Sequence, residues 1–153
     1  GRNNPLLRES QLAATAWLLF NRIFSDTGEG ALARHYQKVY APSSPGNKAM
    51  RAALGELAGY AKERGIRLYL VMVPDIHNLT DYKFGFIHAD MRQFATSQGY
   101  VFVDFLDSFA GRDPKTLWAM PGDPHPNSLG HELMADAFYP VLSGQGGAAP
   151  LGQ

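Results

Sequence analysis

The chain has no cysteine. That excludes disulfides, thiolate metal sites and a cysteine nucleophile, and it fits any redox compartment. It also lacks an excess of either charge, because 14 Lys and Arg side chains balance 14 Asp and Glu. The balance removes the electrostatic case for nucleic acid or an anionic membrane surface as partner. Tyr36, Tyr40 and their few basic neighbours are too sparse for a base-stacking surface. Long apolar runs are missing: the longest, Leu68 to Val73, falls far short of a bilayer span. Repeats and low-complexity stretches are missing too, apart from a Gly- and Ala-rich tail over 143–153 that reads as flexible.

What remains is a globular composition. Of 153 residues, 45% are apolar and 18% charged, enough for one domain, expected over 1–142, with a real core. Between Glu9 and Phe24 the positions Leu12, Ala16, Leu19, Phe20 and Ile23 repeat at helical spacing. Residues 26–46 read as irregular, with glycines and the turn Pro42-Ser43-Ser44-Pro45-Gly46. A second helix starts at Asn47, carries Met50, Leu54, Leu57 and Ala61 on one face, and stops at Gly65. Ile66 to Val73 then reads as a near-continuous apolar strand covered on both faces. A third helix is expected over Tyr82–Gln98, with Ile87, Met91, Phe94 and Ala95 inward and Gly99 as its stop. Tyr100 to Asp104 is the next strand, followed by a helical turn through Phe109. Strand, helix and strand at this spacing predict an α/β chain with a right-handed parallel crossover.

Chemistry concentrates in Gly122-Asp123-Pro124-His125-Pro126-Asn127-Ser128-Leu129-Gly130-His131. Two prolines fix φ and push the residues before them toward extended backbone, so Asp123 and His125 are expected on a stiff loop. Asn127 or Ser128 can cap the helix that follows, whose apolar face is Leu129, Leu133, Met134, Ala137 and Phe138. A histidine beside a carboxylate on a rigid pedestal has what a general base needs, a set tautomer and a set direction. Asp123 can orient His125 or simply form the turn before Pro124; both readings stand at this point. His131 reads as a solvent-facing residue of the first helical turn. Asp123, His125 and His131 match no zinc spacing, and neither a metal nor another cofactor is expected. In parallel sheets, sites collect at the carboxyl ends of strands, which places Asp75, His77 and Asp104 on the rim expected to hold His125.

The run Asp-Pro-His-Pro-Asn-x-x-Gly-His ahead of an amphipathic helix resembles the last motif block of the SGNH (GDSL-type) hydrolases. The likeness covers about 66–142 in layout and Asp123–His131 in motif. It implies a three-layer α/β/α fold with a parallel, flavodoxin-like sheet. It also implies an ester hydrolase with His125 as triad base and Asp123 behind it; Asn127, Asp75, Asp104 and His131 are the candidate rim or supporting residues around them. The family's Asp usually lies three residues before its His; here that position is Gly122, and Asp123 stands one place nearer. Asp-x-His is similar to the motif of SGNH-like proteins that O-acetylate polysaccharides of the cell envelope, so an acyltransferase is the alternative. The family's Gly-Asp-Ser nucleophile block occurs nowhere in the sequence. Ser25-Asp26-Thr27-Gly28 has the tail of that signature with Ile23 in the nucleophile slot, and Gly1-Arg2-Asn3-Asn4 only vaguely resembles the Gly-x-Asn-Asp block.

The resemblance therefore implies a C-terminal portion with few strands, with the serine, oxyanion donors and further strands upstream. A third alternative is a non-catalytic SGNH-like binding module. Expected partners are a small-molecule or glycan ester and, through an exposed edge of the apolar strand, a second copy. The family resemblance favours an extracytoplasmic location.

Overall fold

The computed structural model describes residues 29–144, together with Leu12 and Thr15. The helix expected over 9–24 lies outside the described residues except for Leu12 and Thr15, both helical. Residues 1–4, Ser25 to Gly28 and the tail beyond Gly144 also lie outside them. The chain divides into two units, Gly1–Val39 and Tyr40–Gln153.

In the first unit, helix α1 spans Glu29–Val39, where an irregular stretch was expected. The segment lacks a clean apolar period. It is nevertheless built largely of Glu, Ala, Leu, Arg, Gln and Lys, whose intrinsic propensity favours helix.

The second unit opens with α2 (Pro45–Glu63) and β1 (Tyr69–Met72), followed by α3 (Gly85–Gln98) and β2 (Val101–Asp104). Two short 3₁₀ turns follow, Asp107–Phe109 and Pro114–Leu117, then β3 (Trp118–Met120), β4 (Asp123–Pro126) and α4 (Ser128–Ser143). Asn47 is buried near the start of α2, where its amide donates to the carbonyls of Tyr40 (2.7 Å) and Ala41 (3.2 Å). Both α2 and α3 end on a glycine with positive φ, Gly65 at 63° and Gly99 at 81°. Beyond each glycine the next N–H reaches back, Ile66 to Ala61 and Tyr100 to Ala95, each at 2.9 Å, closing a Schellman turn. Both stops match the sequence reading. α3 begins at Gly85 rather than Tyr82 because the Asn78 side chain accepts from the N–H groups of Thr80 and Asp81, committing that stretch to a turn.

β1 and β2 pair in parallel, Tyr69 against Val101 through Met72 against Asp104, with α3 as the crossover. One expectation needs correction. The strand is shorter than Ile66–Val73, all four of its residues are only half-buried, and Ile66 and Val73 are each 50% exposed. Among the described residues the sheet has two strands, so each keeps one unpaired edge.

A second correction concerns the expected loop at Asp123–His125, which is instead strand β4, paired antiparallel with β3. The two strands turn at Pro121-Gly122, where Gly122 has φ 84°. A two-stranded ribbon leaves each strand one free side, which is how Pro124 and Pro126 fit.

Ile76, Phe109 and Leu117 are fully buried, with Leu79, Trp118, Leu129, Leu133 and Met134 packed around them. α4 supplies the last three, as its apolar face predicted, and Phe138 places its ring edge-on to Tyr69 (5.7 Å) and Phe105 (6.3 Å). The helix reaches Ser143, one residue past the expected boundary, with Pro140 in its last turns. The fold is mixed α/β, with one parallel and one antiparallel strand pair among the described residues.

Candidate functional site

Asn127 settles the choice of helix cap: its side-chain oxygen accepts from the Gly130 N–H at 3.0 Å. Its amide nitrogen donates to the carbonyls of Thr116 (2.9 Å) and Trp118 (3.2 Å). One side chain thus fixes the start of α4 to the strand facing β4. Immediately before it, His125 Nδ1 is hydrogen-bonded to Asp123 Oδ1, and the same oxygen accepts the His125 backbone N–H at 3.2 Å. With Nδ1–H donated to the carboxylate, a neutral ring presents the Nε2 lone pair outward. The imidazole side chain is 84% exposed and the carboxylate 37%. Donation from the ring N–H, and then from the backbone N–H, holds the Asp123 carboxyl below the usual carboxylate range.

The same geometry occurs a second time. After β1, Asp75 Oδ1 accepts from His77 Nδ1 at 2.7 Å and from the His77 backbone N–H at 2.9 Å. Here the ring is 53% exposed, lies 6.4 Å from the Trp118 ring and meets it edge to face.

A third Asp–His pair is buried. His88 Nδ1 lies 2.8 Å from Asp104 Oδ1, with side chains 7% and 9% exposed. His88 Nε2 lies 2.8 Å from the Tyr82 hydroxyl, which in turn accepts the Asp75 backbone N–H at 3.2 Å. One proton arrangement satisfies the whole chain: Nδ1–H donates to Asp104, the tyrosine O–H donates to Nε2, and the tyrosine oxygen accepts from Asp75. Burial pushes the Tyr82 phenol up to about 12; the Asp75 N–H opposes this, and the charges of Asp75 and Asp104 reinforce it. Asp104 also accepts from Arg92 (3.3 Å) and from the Leu106 N–H (3.0 Å). Asp104 is therefore a buried scaffold residue, and the solvent-open pairs are Asp75–His77 and Asp123–His125.

No family model, curated protein or solved structure matches this chain. The site therefore rests on its own geometry.

His131 is exposed on the first turn of α4, and its side chain joins none of the three pairs. Among the described residues no cluster of three or more His, Asp or Glu side chains could hold a metal ion. An open cleft of about 510 Å³ lies along β3 and the turn, lined by Lys115 and Trp118 through Gly122, and neither exposed imidazole lines it. Two participants escaped the sequence reading. His88 falls four residues after the buried Phe84 and three before the buried Met91, so its place on the inward face of α3 was legible as a polar break in the stripe. Tyr82 carries no comparable signal.

Proposed function

We propose that this chain carries the acid–base half of an SGNH-type serine ester hydrolase, with His125 as general base and Asp123 as its orienting carboxylate. The observation that supports it is the carboxylate-held Nδ1 on a solvent-open ring between two prolines. An exposed ion pair alone stabilises little, so the pair is held by the backbone: φ is fixed on both sides, and Asn127 anchors the next residue.

The parallel unit β1–α3–β2 would be part of a three-layer α/β/α sheet. The free edges of its two strands would take the remaining strands or a second copy. No Gly-Asp-Ser block stands in the sequence, so the nucleophilic serine belongs to a longer protein that includes this chain. In the reaction, His125 Nε2 takes the serine hydroxyl proton as the oxygen attacks the ester carbonyl. Asp123 stabilises the resulting imidazolium, which gives that proton to the leaving alkoxide oxygen as the carbon–oxygen bond breaks.

Covalent capture tests the reading. A fluorophosphonate probe labels the serine of the full-length protein, labelling slows by orders of magnitude in His125→Ala, and the 153-residue chain alone stays unlabelled. Equal labelling of wild type and variant contradicts the assignment.

A further inference from the structure

The reading of His125 makes no use of the cleft along β3. At about 510 Å³ the cleft falls within the range of small-molecule sites. Its lining side chains are apolar except for Lys115, and no acidic residue lines it.

One wall of the cleft is fixed. The Trp118 indole N–H donates to the carbonyl of Ile76 at 2.8 Å, and the Trp118 carbonyl accepts from the Asn127 amide at 3.2 Å. Leu117, just before it, is fully buried, and its carbonyl accepts the Asn127 N–H at 2.8 Å. A ring held this way can receive a ligand without first being ordered. Met120, also in the lining, is 61% exposed and brings a flexible apolar side chain that adapts to what it meets.

Lys115 supplies the charge. Its backbone N–H is held by Asp113 Oδ1 at 3.0 Å, while its ammonium has no protein partner among the described residues. Asp113 is engaged by that bond, and Asp123, which follows the lining residue Gly122, is engaged by His125. An uncommitted cation at the margin of an apolar surface attracts a ligand that is apolar along its body and negative at one end. One ammonium balances one negative charge and has no planar fork to ask for more, so a carboxylate matches it.

We propose that the β3 cleft binds a small amphipathic carboxylate, with its flat apolar body against Trp118 and Met120 and its charge at Lys115 Nζ. The site stands apart from the reading of His125. Neither exposed imidazole lines the cleft, so each assignment can fail alone.

NMR titration of the 153-residue chain with 2-naphthoate tests this. The expected result is a saturable shift of the Trp118 indole N–H and Met120 methyl resonances. 2-Naphthamide, the neutral isostere, is expected to bind about three- to fivefold more weakly. Lys115→Gln removes that preference, and so does salt at about 1 M, where charges are screened beyond about 3 Å. Lys115 is exposed, so its replacement is expected to leave the melting temperature unchanged. Met120→Ser weakens both ligands alike. Equal affinities for the two ligands in the wild type overturn the proposal, as does a Lys115→Gln variant that keeps the preference. A titration that leaves Trp118 and Met120 unmoved overturns it too, as does a Met120→Ser variant that binds both ligands like wild type.

Discussion

The indole N–H of Trp118 donates to the carbonyl oxygen of Ile76 at 2.8 Å, joining the hairpin that carries His125 to the loop that follows β1. Ile76 is itself among the most buried residues, so the bond is made at the edge of the core cluster. Trp118→Phe keeps an aromatic ring but removes the donor, leaving a carbonyl beside the core without its partner. The expected cost is about 1–3 kcal/mol, read as a lower urea midpoint at unchanged slope. A variant as stable as wild type would show that the two loops do not depend on each other.

Gly130 sits where α4 passes β4. A Cβ built there would lie 2.9 Å from the Cβ of Pro126, a ring atom that cannot swing away. Gly130→Ala is expected to destabilise the protein by about 1–3 kcal/mol in thermal unfolding, although alanine is the better helix former. Because Pro126 adjoins His125, the same variant is expected to lower any His125-dependent activity as well.

Asn127 has two separable roles. Asn127→Asp keeps an acceptor for the Gly130 N–H and loses the donations to Thr116 and Trp118, whereas Asn127→Ala loses all three. Alanine is expected to cost about 1–2 kcal/mol for the cap alone, and aspartate a smaller amount. Equal melting temperatures for the two variants would contradict this division.

Tyr82 predicts an alkaline limit. Its folded pKa of about 12 lies above the ordinary tyrosine value of 10.0, so between those values the folded state holds a proton that the unfolded state has lost. The stabilisation is fully present below pH 10 and disappears as pH rises toward 12. Half-exposed as it is, the group contributes about 1 kcal/mol once solvent screening is allowed for. Tyr82→Phe is expected to flatten the stability profile over that range; an unchanged slope would contradict the assignment.

The parts legible in sequence were those set by local rules. Gly65 and Gly99 end helices because a left-handed residue was needed there, Asn127 caps because of its side chain, and α4 turns its apolar stripe inward. Misreadings came where two local rules competed. In α1, propensity won without periodicity. At Asp123–Pro126 the prolines argued against a strand, yet a two-stranded ribbon tolerates them, and the Pro121-Gly122 turn is the signal for the hairpin. The Asp104–His88–Tyr82 chain joins residues 6 and 16 positions apart, a tertiary fact that no local pattern announces. Both Asp-x-His spacings stand in the sequence; the motif around Asp123–His125 drew attention to one of them, and the matching hydrogen bonds show that Asp75–His77 adopts the same geometry.

The central claim is that His125 moves the proton in ester cleavage. The most direct measurement compares kcat/KM for p-nitrophenyl acetate in the full-length protein and in its His125→Ala variant, with both shown to be folded by thermal melting. The imidazole is solvent-open, so its removal leaves the fold intact. The account predicts a fall on the order of 10³-fold or more. Equal values for the two proteins would contradict it.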